Sequence, residues 1–291
     1  MKKITNETCV IETVTISNPD KALFENPIVT KKEIALYYQQ VSERMLPFLK
    51  NRIISTIRCP DGVNNECFYK KHLTITNKGI GAIEIPSEKG NKEDYYYIKS
   101  IEGIILEVQM NGIEFHPWGC KYNKLEKPDI MIFDLDPDEG LGLKEIRQGV
   151  KDLKSLLDEL NLISFLKTSG GKGYHILVPF QPSANWDKFR SFAKSIAEVM
   201  EEKWPDRYTS NVRKSNRQGK IFIDWIRNTQ GSSCVAPYSI RTKKTATISM
   251  PIAWDELNKI APNEITMDKA LKRLKKPNPW ESFFDIKHSI K

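Results

Sequence analysis

From Pro128 onward the chain changes rhythm: short apolar runs alternate with stretches of helical period, and few folds accept that order. Ile130 to Leu135 reads as a strand. Leu143, Ile146, Val150, Leu153, Leu157 and Leu160 then recur on one face of an amphipathic helix. Ser164 to Leu166 and Tyr174 to Val178 read as strands around a glycine-rich turn. Phe189, Ala193, Ile196 and Met200 mark a second helix, and Ile221 to Ile226 another strand. Strands and helices in this succession bury their apolar faces as a mixed sheet with helices packed on it, an α+β (mixed α/β) class.

The part before this, about 1–125, is β-rich around one helix. Thr13 to Ile16 reads as a strand ended by Asn18-Pro19-Asp20. Thr30 and Glu33 have capping-box spacing, and Ile34, Tyr38, Val41 and Met45 follow on one helical face. From Arg52 to Leu106, short β-rich runs alternate with turn-formers such as Pro60-Asp61-Gly62 and Glu88-Lys89-Gly90-Asn91. With no repeat or flexible linker in view, the reading is one domain over 1–291. It comprises the β-rich part, a catalytic α/β part at about 126–260, and a tail at 261–291 that begins with a basic helix at Met267 to Lys276.

Composition narrows the partners. A net charge of +8 and a pI near 9.0 favour a polyanion without specifying one. No apolar run approaches the roughly 20 residues that span a bilayer, and Met1 to Glu7 lack the apolar core of a secretory signal, so a cytoplasmic, nucleoid-associated protein is expected. The cysteines, Cys9, Cys59, Cys67, Cys120 and Cys234, form no C-x-x-C pair and are expected to be reduced thiols. With only four histidines beside them, a structural zinc site is not expected.

The strongest local signal is Ile132-Phe133-Asp134-Leu135-Asp136-Pro137. Alternation along a strand puts Asp134 and Asp136 on one face, where two carboxylates repel unless a cation binds both. A surface turn is the plain alternative for Asp-Pro-Asp. Asp224 strengthens the metal reading: inside Ile221-Phe222-Ile223-Asp224-Trp225-Ile226 an unpaired carboxylate is costly, so either Arg227 or a metal shared with the first pair must compensate it. Three such carboxylates suit two divalent cations about 4 Å apart. Thr168 to His175, TSGGKGYH, is a glycine turn between two strands, either a tight hairpin or a phosphate cradle. Arg241, in PYSIR, offers a guanidinium for phosphate oxygens, and Arg213 to Lys220 is a basic loop.

Together these residues resemble the polymerase domain of the prokaryotic end-joining DNA ligase D, in the archaeo-eukaryotic primase superfamily. The landmarks are SNPDK at Ser17, RCPDG at Arg58, CFYKKH at Cys67, EFHPWG at Glu114 and PDIMIFDLDPDEG at Pro128, followed by TSGGKGYH, IFIDWIRN and APYSIRT. The cradle reads TSGG and KGYH where the family commonly has TTGG and KGLH, which removes no catalytic group. The resemblance implies a primase-like catalytic core with two sheets flanked by helices. It implies template-directed nucleotidyl transfer that fills gaps and extends DNA ends in non-homologous end joining, with ribonucleotides and manganese favoured.

On that resemblance, Asp134, Asp136 and Asp224 hold two Mn²⁺ or Mg²⁺ ions, and His116, Ser169, Lys172, His175 and Arg241 bind the incoming nucleotide. Asn18, Lys21 and Lys31 form a pocket for a downstream 5′-phosphate. Phe68 and Tyr69 stack on a base, Arg217 contacts the template, and the segment around Glu88 to Asp94 helps bring ends together. The expected partners are broken, overhanging or gapped DNA, nucleoside triphosphates, and Ku and a DNA ligase in trans. A replicative or mobile-element primase, a metal nuclease and a non-catalytic DNA-end bridging module are the competing readings.

Overall fold

Thr30 opens the first helix as expected: its side chain accepts from the Glu33 amide while the Glu33 carboxylate reaches back to the Thr30 amide. The structure, a computed structural model, describes residues 7–74, 78–86 and 90–290. It divides into two units, and the chain passes between them several times. Unit 1 is Met1–Pro117, Val235–Ser249 and Thr266–Lys276; unit 2 is Trp118–Cys234, Met250–Ile265 and Pro277–Lys291. The first division thus falls after Pro117 rather than near 125, and later segments return to unit 1.

In unit 1, β1 (Thr8–Ile11) and β2 (Val14–Ser17) form a hairpin, as do β3 (Ala22–Glu25) and β4 (Ile28–Thr30). Helix α1 (Lys31–Leu49) buries Ile34, Tyr38, Val41 and Met45, the stripe its period predicts. Strands β5 (Ile54–Arg58) and β6 (Phe68–Lys70) pair antiparallel; β7 (Ile80–Pro86) and β8 (Lys92–Ile98) form a separate hairpin. Glu88 and Lys89, expected at an end-bridging turn, lie outside the described residues.

Next comes a helix, α2 (Ile101–Gln109), where short β-rich runs are expected. Its Ile104, Ile105, Leu106 and Val108 are all buried, so it has too little polar face for a helical period to show. Strand β9 (Gly112–Pro117) completes a three-stranded sheet in the order β6-β5-β9.

That sheet corrects the cysteine expectation: Cys59 and Cys67 are disulfide-bonded. Arg58 pairs with Phe68 across β5 and β6, so the next residue on one strand faces the preceding residue on the other, and their Cα atoms lie 4.3 Å apart. Cys9, Cys120 and Cys234 are free thiols.

Unit 2 is built on a six-stranded sheet. Its strands are β10 (Ile130–Pro137), β11 (Phe165–Thr168), β12 (Tyr174–Pro179), β13 (Tyr208–Thr209), β14 (Ile221–Asp224) and β15 (Pro251–Ile252), ordered β13-β14-β10-β12-β11-β15. All neighbours are antiparallel except β13 and β14. Helices α3 (Leu143–Glu159) and α4 (Trp186–Lys203) bury Ile146, Val150, Leu153, Phe189, Ala193, Ile196 and Met200. Gly149 lets α3 sit close, since a Cβ there would come within 2.8 Å of the Leu135 side chain. The strand carrying Asp134 and Asp136 is therefore held in the middle of a packed sheet. The basic tail helix, α5 (Met267–Arg273), belongs to unit 1.

Candidate active site

In unit 2 the register of the sheet gathers the acidic residues. Asp134 on β10 is the direct partner of Asp224 on β14, and Asp136 lies two residues further along β10. Cross-strand partners and i, i+2 neighbours share a face, so all three carboxylates stand on one side of the sheet. The same row continues the other way: Asp134 pairs with His175 on β12, and His175 with Lys167 on β11. Four adjacent strands thus present Lys167, His175, Asp134 and Asp224 in line.

Arg227, on the turn after β14, supplies the local counter-charge. Its Nη2 lies 3.0 Å from Asp134 Oδ2, and its Nε lies 3.2 Å from Asp224 Oδ2. Even so, Asp134 is shifted upward to about 6: burial raises it, the Arg227 charge opposes, and the Asp136 and Asp224 charges raise it further. Asp224 is raised by burial in the same way. Asp136, Asp224 and Arg227 open into a pocket of about 380 Å³, also lined by Arg217, Phe222, Ile226, Ser232 and Ser233.

Among the described residues, no group of three or more His, Cys, Asp or Glu side chains is already drawn around one point that could hold a metal ion. The geometry gives the reason, because two of the carboxylates are turned onto the Arg227 guanidinium. The donor set nevertheless fits a hard divalent cation. It consists of carboxylate oxygens sharing one face, beside an open pocket.

His175 is held on both sides. Lys167 Nζ donates to its Nδ1 at 2.8 Å, Cys234 Sγ lies 3.2 Å from the same nitrogen, and Nε2 stands 3.6 Å from Asp134 Oδ2. The glycine turn is knitted by Ser169, whose Oγ accepts from the amides of Gly171 (3.0 Å) and Gly173 (3.2 Å). Those two N–H groups point inward at Ser169 rather than outward as an anion cradle, and Lys172 is the exposed cation of the turn. Arg217 stacks on Phe222, 3.7 Å from the ring centre, and donates to Val212 O. It therefore lies in the acidic pocket itself.

Unit 1 carries the remaining predicted residues in three clusters. Glu114 and His116 alternate onto one face of β9, and Arg241 comes to them from the 235–249 segment. Glu114 Oε2 accepts from His116 Nε2 (2.9 Å) and Arg241 Nε (3.0 Å), and its Oε1 accepts from the Thr242 amide (2.5 Å) and hydroxyl (2.6 Å). Burial raises the Glu114 pKa, but the His116 hydrogen bond, the Arg241 charge and the Thr242 hydroxyl outweigh it and bring it to about 2.

The second cluster is Asn18, Lys21 and Lys31. Asn18 takes a left-handed turn conformation (φ 49°), the Lys31 amide donates to Lys21 O, and the Lys31 ammonium is buried against Ser17 O (2.8 Å) and Gln109 O (3.1 Å). Burial and the neighbouring Lys21 charge lower the Lys31 pKa to about 8. Lys21, more open, donates to Pro60 O at 2.5 Å.

The third is Phe68 and Tyr69, both exposed on the edge strand β6. As consecutive strand residues they face opposite ways, so they form two separate ring surfaces. Tyr69 lies edge-on to His116, with centroids 5.5 Å apart, and the Arg58 guanidinium lies over Phe68. Sequence reading missed Glu114, Lys167 and Cys234, and named Arg227 only as one possible partner for Asp224.

Comparison with known proteins matches residues 30–280 to the family model of the LigD primase-polymerase domain. The chain is 34% identical to the multifunctional non-homologous end joining protein LigD of Pseudomonas aeruginosa over 95% of its length, and 30% identical to the bifunctional LigD of Bacillus subtilis over 91%. It spans only 34% and 43% of those two proteins. Its structure is similar to the polymerase domain of Mycobacterium tuberculosis ligase D in complex with DNA (TM-score 0.86, 27% identity), covering 94% of this chain and 99% of that one.

Proposed function

Since the chain belongs to the LigD primase-polymerase domain family, we propose that it is a template-directed nucleotidyltransferase that fills gaps and extends DNA ends during end joining. The observation that carries this reading is the Asp134–Asp224 register pair with Asp136 on the same face. Asp134, Asp136 and Asp224 would hold two divalent cations, manganese or magnesium. Bound there, the cations would lower the pKa of the attacking hydroxyl and stabilise the departing pyrophosphate.

The protein's own groups do the rest. Arg227 holds Asp134 and Asp224 in place and opposes the rise that burial gives their pKa values. His175 and Lys172, with Ser169 shaping their turn, are assigned to the triphosphate, and so is Arg241. His116 is assigned to the nucleotide sugar, with ribonucleotides preferred. Arg217, stacked on Phe222, is assigned to the template. Lys21 offers the more open cation for a 5′-phosphate, with Lys31 contributing from below and Asn18 shaping the turn. Phe68 and Tyr69 offer ring faces worth about 1–3 kcal/mol per stacked base. The net charge of +8 suits a DNA partner, and Ku and a ligase acting in trans follow from the end-joining reading. No helix among the described residues is long and apolar enough to cross a membrane.

The test is extension of a gapped DNA with Mn²⁺, comparing ribonucleotides with deoxyribonucleotides and a 5′-phosphate with a 5′-hydroxyl. The wild-type protein should extend, with ribonucleotides and the phosphorylated gap preferred. DNA binding without any extension would instead favour the end-bridging reading.

A further inference from the structure

Glu114 is nearly fully buried (1% exposed), and it accepts from His116 on its own strand and from the Arg241-Thr242 pair. A lone buried carboxylate is costly, so a residue of this kind persists only where its donors are placed to satisfy it. Each oxygen accepts from two donors, which matches the capacity of an ionised carboxylate. The consequence falls on the donors as much as on Glu114. A carboxylate only accepts, so the His116 proton must sit on Nε2, and the ring is fixed both in tautomer and in direction. The Arg241 guanidinium is likewise pinned through Nε, and the two Thr242 bonds lock the backbone next to it.

We infer that Glu114 is the positioning residue of the nucleotide subsite. It holds the His116 imidazole and the Arg241 guanidinium in one binding-ready arrangement, so that a nucleoside triphosphate meets donors already ordered. This inference rests on the assignment of His116 and Arg241 to the nucleotide. Ordering long side chains before the ligand arrives removes a cost from binding itself, so losing Glu114 should appear in nucleotide KM rather than in DNA affinity.

The test compares the wild-type protein with Glu114→Gln, Thr242→Val and Arg241→Ala, and with Glu114→Gln combined with Arg241→Ala. ATP incorporation opposite a template thymine in gapped DNA gives KM and kcat, titration with the same DNA gives Kd, and thermal unfolding gives Tm. Glu114→Gln should raise the KM for ATP about tenfold, equivalent to about 1.4 kcal/mol, with DNA Kd unchanged. In the Arg241→Ala background the same change should cost under about threefold, because one of the groups it positions is gone. Thr242→Val, which removes a hydroxyl bond to Glu114 and leaves the His116 and Arg241 side chains unchanged, should raise KM about two- to threefold, and this variant decides the matter if Glu114→Gln does not fold. An unchanged KM in a folded Glu114→Gln or Thr242→Val protein overturns the inference. So does a KM effect that multiplies in full with Arg241→Ala, or one accompanied by an equal loss of DNA affinity. Failure of the wild-type protein to extend DNA removes the polymerase reading and this inference together. Wild-type extension with unmoved variants removes the inference alone.

Discussion

Two carboxylates largely withdrawn from solvent, each beside an arginine, sit in opposite electrostatic states. Glu114 in unit 1 accepts four hydrogen bonds, and its pKa falls to about 2; Asp134 in unit 2 has Arg227 at 3.0 Å, and its pKa rises to about 6. Burial acts on both in the same direction, so the difference lies in what surrounds them. Glu114 has donors on both oxygens, whereas Asp134 shares Arg227 with Asp224, has His175 and Lys167 further off, and faces the Asp136 and Asp224 charges. The first is a completed arrangement whose chemistry is holding. In the second, like charges crowd one face, and a divalent cation bound there would relieve their repulsion.

The largest effect should follow from breaking the unfinished site. Asp136→Ala should cut extension by at least about a thousandfold, in line with the loss of a transition-state electrostatic element, while leaving gapped-DNA affinity within about twofold. Substantial polymerisation by that variant would reject the assignment of the acidic face to metal. Breaking the finished site should instead unfold the protein more readily. Glu114→Ala leaves the largely enclosed Arg241 guanidinium without its carboxylate and should cost about 3 kcal/mol of stability, read from denaturant unfolding. A loss under about 1 kcal/mol would mean that solvent replaces the carboxylate easily and that the knot is not tight.

The same contrast explains what the sequence disclosed. Asp134 and Asp136 are legible because alternation alone puts them on one face, and Asp224 because a carboxylate in an apolar run has to be compensated. Register then did what no sequence pattern can, making Asp134 and Asp224 direct partners and extending the row through His175 to Lys167. Glu114 was not legible, since in Glu114-Phe115-His116 it reads as an ordinary polar position and Arg241 lies 127 residues away. The Cys59–Cys67 bond escaped for a related reason, being set by the pairing of β5 with β6 and by no recognisable spacing. Helix α2 escaped because burial left it without a polar face. The family landmarks supplied the clusters of unit 1, but not that Lys31 is buried or that Phe68 and Tyr69 face opposite ways.

The lysine pair gives a smaller effect that sharpens the comparison, because here too one group is enclosed and its neighbour is open. Replacing Lys21 and Lys31 by alanine should abolish an approximately tenfold preference for a 5′-phosphorylated gap, with Lys21→Ala alone removing most of it. Lys31, lowered to about 8 from 10.5, loses its charge as pH rises through 8. Its depressed pKa means that the folded protein binds fewer protons than the unfolded chain between about 8 and 10.5, so this group's contribution to stability increases with pH across that window. The phosphate preference should fall over the same range in the wild-type protein and less so in Lys31→Ala. A preference that is flat from pH 7 to 9.5 would retire Lys31 from the pocket.

The smallest effect distinguishes the two carboxylates directly. Asp134 is raised from 3.8 to about 6, so the folded protein holds more protons than the unfolded chain between those values. Its contribution to stability therefore falls as pH rises through that window, and the cost is fully present above 6. Glu114 is lowered from 4.5 to about 2; its stabilisation is fully present above 4.5 and is lost as pH falls toward 2. A divalent cation on the acidic face would remove the first slope and leave the second untouched. Millimolar Mn²⁺ should then raise Tm by a few degrees at pH 7.5 and by less at pH 5, where Asp134 holds its proton, as expected when a ligand binds only the folded state. In Asp134→Asn, which lacks one of the assigned ligands, most of that gain should disappear, while the acid-side loss governed by Glu114 stays where it was. An equal Mn²⁺ effect at both pH values in the wild-type protein would mean that the cation binds elsewhere, and that the high pKa of Asp134 reflects burial alone.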